Sequence, residues 1–410
     1  MSASMRRAAR AVAPGLVSRI AAPAAGPARA FAPADEERFA DRALLVSIIG
    51  LALFGAVMIA SASVAFSAER YGDPFHFVTR QLVFLGVGAA AGVLLYRLPL
   101  ALWEKYGPWM MIASLVALAL VLIPGIGREV NGSRRWIDLG FITVQVSETV
   151  KLLVIVYLAG YLVRRGHLVQ STFGGFVRPL VLMGVVSTLL LLEPDFGASV
   201  VVVGTALLML FVAGVRFSQF AALVAVVGTL GGLLIALSPY RMRRFASFLD
   251  PFSDPFDTGF QLTQSLIAIG SGGIAGVGFG QSVQKLFYLP EAHTDFLFAI
   301  IAEELGLVGA LALVALYGFI VVRCFRLSSE AERQGNRFGG YVALGIGIWI
   351  GLQAFINLGV NMGMLPTKGI TLPLVSYGGS SAVVFAATFA LLLRIESDVR
   401  EARGTGGGTP

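Results

Sequence analysis

GASVVVVGTALLMLFVAGV, residues 197–215, carries no charged side chain and lies between Asp195 and Arg216. A helix needs about 20 such residues to cross a hydrocarbon core about 30 Å thick, so this stretch reads as a membrane span. Similar apolar runs recur near 43–66, 78–96, 108–124, 148–163, 179–193, 219–238, 296–322, 341–362 and 380–395. Open sheet edges would leave backbone N–H and C=O groups unsatisfied in lipid, and no barrel-type alternation is visible, which leaves helices. The expectation is an all-α, polytopic membrane protein of about ten transmembrane helices.

Composition agrees. Of 410 residues 56% are hydrophobic and 13% charged, against roughly 25% charged in soluble domains. The 49 glycines and 17 prolines are too few for a collagen-like or low-complexity chain. One cysteine, Cys324, and three histidines argue against a disulfide framework or a dedicated zinc cage. The net charge of +7 comes from dispersed Lys and Arg with no aromatic-interleaved basic face, which argues against nucleic acid as a partner.

Orientation follows from the basic residues. With the N-terminus inside, twenty of the 31 Lys and Arg fall on the inner side, so the positive-inside rule puts both termini in the cytoplasm. Residues 1–40, with Arg6, Arg7, Arg10, Arg19 and Arg29 among Ala, Pro and Gly, read as a flexible cytoplasmic tail; the same composition also fits a transit peptide. Residues 41–396 form the transmembrane domain and 397–410 a flexible cytoplasmic C-terminal tail. The connector from about 239 to 295 is a long outer loop between helices 7 and 8, and loops of that length are commonly functional. Its glycines do not spell a dinucleotide-binding fingerprint.

The eleven outer cations cluster, and four segments could carry chemistry. In NGSRRWIDLGFITVQVSETVK, residues 131–151, Arg134 and Arg135 beside Trp136 are either a guanidinium pair able to clamp a phosphate or a solvated, snorkelling loop. Glu148 and Lys151, three apart at the start of an apolar helix, share one face. They are either cavity residues or an ion pair that fixes packing. Glu193-Pro194-Asp195-Phe196-Gly197 reads as a tight outer hairpin with solvated acids at its tip.

In YLPEAHTDFLFAIIAEELG, residues 288–306, Asp295 stands where an outer loop enters a span. Desolvation raises a carboxylate pKa and a nearby cation lowers it, so Asp295 is either a tuned base or a helix N-terminal acid. His293 reads as a hydrogen-bonding partner, and Glu303 as a cavity or packing acid. In NMGMLPTKGITLPLVSYGGSS, residues 361–381, Lys368, Ser376, Ser380 and Ser381 offer donors to an anion, or else form a well-made turn and N-cap.

Taken together, NGSRRWIDLG, EPDFGAS, LPEAHTDFLFAIIAEELG and LPTKGITLPLVSYGGSS resemble, in order, the signatures of the SEDS (shape, elongation, division and sporulation) family of bacterial cell-wall glycosyltransferases. The resemblance covers roughly residues 43–395, and LPTKG ahead of TLPLVSYGGSS is more similar to the division branch than to the elongation branch. It implies a ten-helix peptidoglycan glycosyltransferase that polymerises lipid II into a nascent glycan strand at the outer face of the bacterial cytoplasmic (inner) membrane. It also implies a class B penicillin-binding protein (an FtsI-like transpeptidase) and other divisome proteins as partners at the septum. Asp295 falls on the family's essential aspartate. Lys151 and Arg135 would assist the diphosphate and Glu148 would orient Lys151, with Arg134, His293, Lys368, Ser376 and Ser380 as further substrate contacts. A divalent cation, Mg or Mn, bridging the diphosphate fits that chemistry, although the sequence holds no metal cage. Two other classes fit a many-helix body with intramembrane charges: a lipid II flippase and a structural recruiter of the partner enzyme.

Overall fold

A computed structural model describes residues 34–406 except 131, 132, 139, 141, 142, 258 and 368. The expected N-terminal tail, apart from its last few residues, therefore lies outside the described residues. Among those described are ten long helices: α1 (Ala34–Tyr71), α2 (His76–Tyr96), α3 (Leu100–Val121), α4 (Val146–Ser171), α5 (Phe173–Leu192), α6 (Phe196–Val212), α7 (Phe217–Ala236), α10 (Leu297–Arg333), α11 (Arg337–Asn361) and α12 (Gly379–Gly406). Two short ones, α8 (Pro239–Leu249) and α9 (Phe260–Gly272), lie within the long outer connector. Seven of the long helices are extended and apolar enough to cross a membrane by themselves, and α6 is a shorter apolar helix of the same kind. The quoted stretch at 197–215 falls almost wholly in α6.

Two helices make the centre. The apolar windows of α4 and α11 are 78% and 83% buried, whereas no residue of α7 is buried and that helix stands against the outside of the bundle. Burial at the centre depends on small residues. A Cβ on Gly345 of α11 would come within 2.5 Å of Ile155 of α4 and 2.8 Å of Met209 of α6, so the three helices meet because that side chain is absent. Trp349 of α11 stacks on Phe385 of α12 at 4.8 Å between ring centroids, both almost fully buried.

The structure differs from the sequence expectation in three places. Residues 127–145 form a small antiparallel sheet, β1 (Gly127–Val130), β2 (Ser133–Asp138) and β3 (Thr143–Gln145), in the order β1-β2-β3. Its strands are too short for alternation to stand out in the sequence. Second, the segment after residue 396, expected as a flexible tail, continues α12 to Gly406, and Arg403 pairs with Glu330 at 3.3 Å.

Third, α10 is broken at Gly306 (φ 67°, ψ −165°). The break frees backbone groups that would be costly in lipid. Residues 273–278 satisfy them: Leu307 N–H donates to Gly273 O at 2.9 Å and Val277 N–H to Glu303 O at 2.9 Å. The first turns of α10 thus form a half-helix packed against α9. Its acids fix the outer loop. Glu303 accepts from the Ser282 hydroxyl and from Val283 N–H, which makes it a packing acid. Glu304 pairs with Lys285 at 2.8 Å and accepts from Ser61 of α1. Gly276 sits at φ 81°, and a Cβ there would lie 2.1 Å from Glu304 O. Gly276→Val is therefore expected to cost at least about 1–3 kcal/mol from backbone strain alone, read as a lower melting temperature in detergent.

Candidate active site

The long outer loop ends in a turn over Glu291–Phe296, where Thr294 N–H and Phe296 N–H both donate to Glu291 O. Asp295 closes that turn immediately before α10. The N-cap of α10 is Phe296, with no side-chain capping bond. Asp295 thus stands beside the start of α10, where a helix N-terminal acid would stand, and among the described residues no donor engages its carboxyl oxygens. The carboxyl is half-buried, and a Cβ on Gly369 would stand 3.2 Å from its Oδ2, so the loop before α12 passes directly against it. Burial pushes the Asp295 pKa up to about 7; Glu291 and Asp195 add to the rise, and Arg135 and Arg244 oppose it. A carboxyl poised there exchanges protons at neutral pH.

Arg135 is the stronger of the two cations that oppose this rise. It extends from β2 to the α5–α6 turn, donating through Nη2 to Pro194 O at 2.7 Å and through Nε to Glu193 O at 3.3 Å, with Nη1 3.9 Å from Asp195 Oδ1. Arg134 goes the other way. Successive strand side chains point to opposite faces, and Arg134 pairs with Glu129 at 3.0 Å on the exposed face of the hairpin. The two guanidiniums are therefore not a fork on one ligand: the segment is a strand rather than a loop.

The acids of the α5–α6 turn are not solvated. Glu193 and Asp195 are 0% and 3% exposed. Asp195 caps α6 by accepting from Ala198 N–H at 3.1 Å, and it accepts from Ser147 at 2.9 Å. Burial, with Asp195 beside it, raises the Glu193 pKa to about 8 against the opposing pull of Arg135.

Beneath this layer lies the Glu148–Lys151 pair at 2.8 Å, with Lys151 4% exposed. Lys151 also donates to Gln353 Oε1 at 3.0 Å and sits 5.4 Å from the Trp349 ring centroid. An ammonium has three donors, so one remains available. Gln353 in turn donates to Thr371 O at 2.9 Å.

The remaining expected residues are placed as follows. Ser376 is buried and accepts from Leu372 N–H, closing a turn. Ser380 donates to Thr143 O and accepts from Gln145 N–H, stapling α12 to β3. His293 lies in an aromatic nest, 4.4 Å from Phe77 and 5.8 Å from Tyr377 between centroids, and its carbonyl accepts from Tyr377 N–H. Burial lowers its pKa, with Glu291 opposing, so the ring is neutral at pH 7. Lys368 lies outside the described residues. No group of three or more His, Cys, Asp or Glu is placed to hold a metal among the described residues.

Sequence reasoning missed Gln353, Asn357, Asn361 and Arg244. The signal for the first three was present, as amides spaced by four inside an apolar span. Arg244 was seen only as one of the outer cations.

Arg135→Ala is expected to raise the Asp295 pKa further by removing the stronger of the two opposing charges. The acidic limb of the pH–rate profile then moves above pH 7, measured as kcat/KM between pH 5 and 9.

Residues 42–401 match the family model described as cell cycle protein, the FtsW, RodA and SpoVE family. A probable peptidoglycan glycosyltransferase FtsW of Thioalkalivibrio sulfidiphilus (strain HL-EbGR7) is 52% identical over 373 residues, covering 90% of this chain and 93% of its own length. That of Legionella pneumophila subsp. pneumophila (strain Philadelphia 1) is 52% identical over 360 residues, covering 88% and 91%. Among solved structures, Thermus thermophilus RodA superposes with a TM-score of 0.64 at 30% identity, covering 87% of this chain and 96% of that one. A chain from a peptidoglycan synthase complex, described for its coordination of polymerization and crosslinking, gives 0.69 at 31% identity, covering 85% and 97%. With its ten long helices and the motif-bearing outer face, the chain belongs to the FtsW, RodA and SpoVE family of cell cycle proteins.

Proposed function

We propose that the chain is a peptidoglycan glycosyltransferase of the division branch, polymerising lipid II at the outer face of the bacterial cytoplasmic membrane. The relatives at about half identity carry the FtsW name, which favours division and the septum over elongation. The observation that carries the reading is the carboxyl of Asp295, half-buried, engaged by no donor among the described residues, and raised in pKa to about 7 against the pull of Arg135.

In this reaction Asp295 takes the proton from the sugar 4-hydroxyl of the acceptor lipid II. The alkoxide oxygen forms a bond to the anomeric carbon at the lipid-linked end of the donor glycan, and the bond from that carbon to the diphosphate breaks. Undecaprenyl diphosphate leaves with the bonding electrons, and the proton stays on Asp295 until water removes it. Arg135, and Lys151 with its remaining donor, offset the charge that grows on the diphosphate, while Glu148 and Gln353 orient Lys151. Lys368 adds a further positive charge for the diphosphate, whereas Arg134 is paired with Glu129 on the exposed face. His293, Ser376 and Ser380 serve by shaping the loops. A divalent cation would arrive with the diphosphate, since no cluster of His, Cys, Asp or Glu among the described residues is placed to hold one.

A class B penicillin-binding protein is the proposed partner, in keeping with the likeness to a synthase-complex chain. The test is purified protein reconstituted with that partner and labelled lipid II in vesicles. Glycan polymer is the expected product; translocation of lipid II without polymer would replace this reading with that of a flippase.

A further inference from the structure

We propose that Asn357 and Asn361 are positioning residues for Asp295, rungs of a buried amide ladder on α11 that holds the base and the 369–371 loop in register. The inference rests on the reading of Asp295 as the base. Gln353, Asn357 and Asn361 are spaced by four, so they lie one above another on the helix, and all three are 0–2% exposed. A buried amide is costly unless its donors and acceptor are used, and these are used on the site.

Asn357 Nδ2 donates to Asp295 O at 2.9 Å and to Ile370 O at 2.6 Å. Asn361 Nδ2 donates to the same Asp295 O at 3.0 Å and to Asn357 O at 2.9 Å, while its Oδ1 accepts from Ala299 N–H at 3.2 Å. The Ser265 hydroxyl of α9 donates to Asn361 O at 2.8 Å, which brings α9 into the same frame.

The geometry explains why the carboxyl makes no hydrogen bond among the described residues. The first N–H groups of a helix need acceptors, and an aspartate next to a helix start commonly supplies one with its own side chain. Here Phe296 at the N-cap cannot, and Asn361 accepts from the first turn of α10 across the helix interface. Asp295 is held by its carbonyl instead of its carboxyl. Asn357 ties that carbonyl to Ile370, next to Gly369, the backbone against Oδ2. One rung away, Gln353 links the same loop to Lys151. The ladder thus fixes the distance between the base and the buried cation.

The test uses the full chain with its partner, comparing Asn357→Ala, Asn361→Ala and the double variant. A misplacement near 1 Å can cost about 100-fold. Each single variant is expected to lose roughly tenfold in kcat, and the double about 100-fold, with KM for lipid II within about twofold of wild type. Loosening the turn also admits water to the carboxyl, so the acidic limb moves below pH 7 although Glu291, Asp195, Arg135 and Arg244 still face it. Each single variant keeps one bond to the Asp295 carbonyl, so the singles carry the test should the double fail to fold. Unchanged kcat in both singles, or a loss equal at every pH with the limb unmoved, would overturn the inference. An active Asp295→Asn would instead overturn the underlying reading.

Discussion

Asp295→Asn is expected to lower lipid II polymerisation by about 100- to 10,000-fold, the usual contribution of a positioned general base. Asparagine matches aspartate in shape, and the contacts that hold this residue are to its backbone: Asn357 and Asn361 bind the carbonyl, and the carboxyl has no donor among the described residues. The variant is therefore expected to fold, to melt close to wild type and to bind both its partner and lipid II. The measurement is glycan product from labelled lipid II per unit of monodisperse protein. Binding that survives while kcat falls separates loss of the base from loss of the site.

Lys151→Met is expected to act in a different way, through stability. Lys151 and Glu148 are buried side by side, and removing one partner of such a pair typically costs 3–5 kcal/mol, because the other charge is left in a low-dielectric interior. Glu148 Oε2 already lacks a partner among the described residues, so it has nowhere else to turn. Low yield and a lost cooperative melt are expected for Lys151→Met. The double variant Glu148→Leu with Lys151→Met should recover much of the stability, since apolar replacement of a whole buried pair is often neutral. It should not recover polymerisation, because the cation proposed to stabilise the leaving diphosphate is gone. Recovery of both would leave the pair a packing device alone.

The fold was legible because lipid imposes one rule. Uncharged runs such as 197–215 must be helices, and the uneven distribution of Lys and Arg gives their direction. What was hidden depended on pairing across distance. The strand at 133–138 is too short to declare itself, so Arg134 and Arg135 read either as a clamp on one phosphate or as a solvated loop, whereas the pleat sends them apart. The Glu193–Asp195 turn looked solvated because Pro and Gly signal an exposed hairpin; its burial comes from Arg135, Ser147 and the loops above. Ser376 and Ser380 offered hydroxyls in the sequence, but neighbouring backbone engages both: Ser376 accepts from Leu372 N–H and Ser380 donates to Thr143 O. The four motif segments were readable as chemistry, whereas the amides spaced by four in α11 were visible in the sequence but not their bonds to Lys151, Asp295 and the 370–371 loop, which only the packing supplies.

The most direct test is the pH dependence of kcat/KM for lipid II polymerisation by the wild-type chain with its partner. The account predicts an acidic limb near pH 7, with rate falling about tenfold per unit below it as Asp295 takes up its proton. A rate that stays flat down to pH 5 would contradict Asp295 as the group that accepts the acceptor's proton.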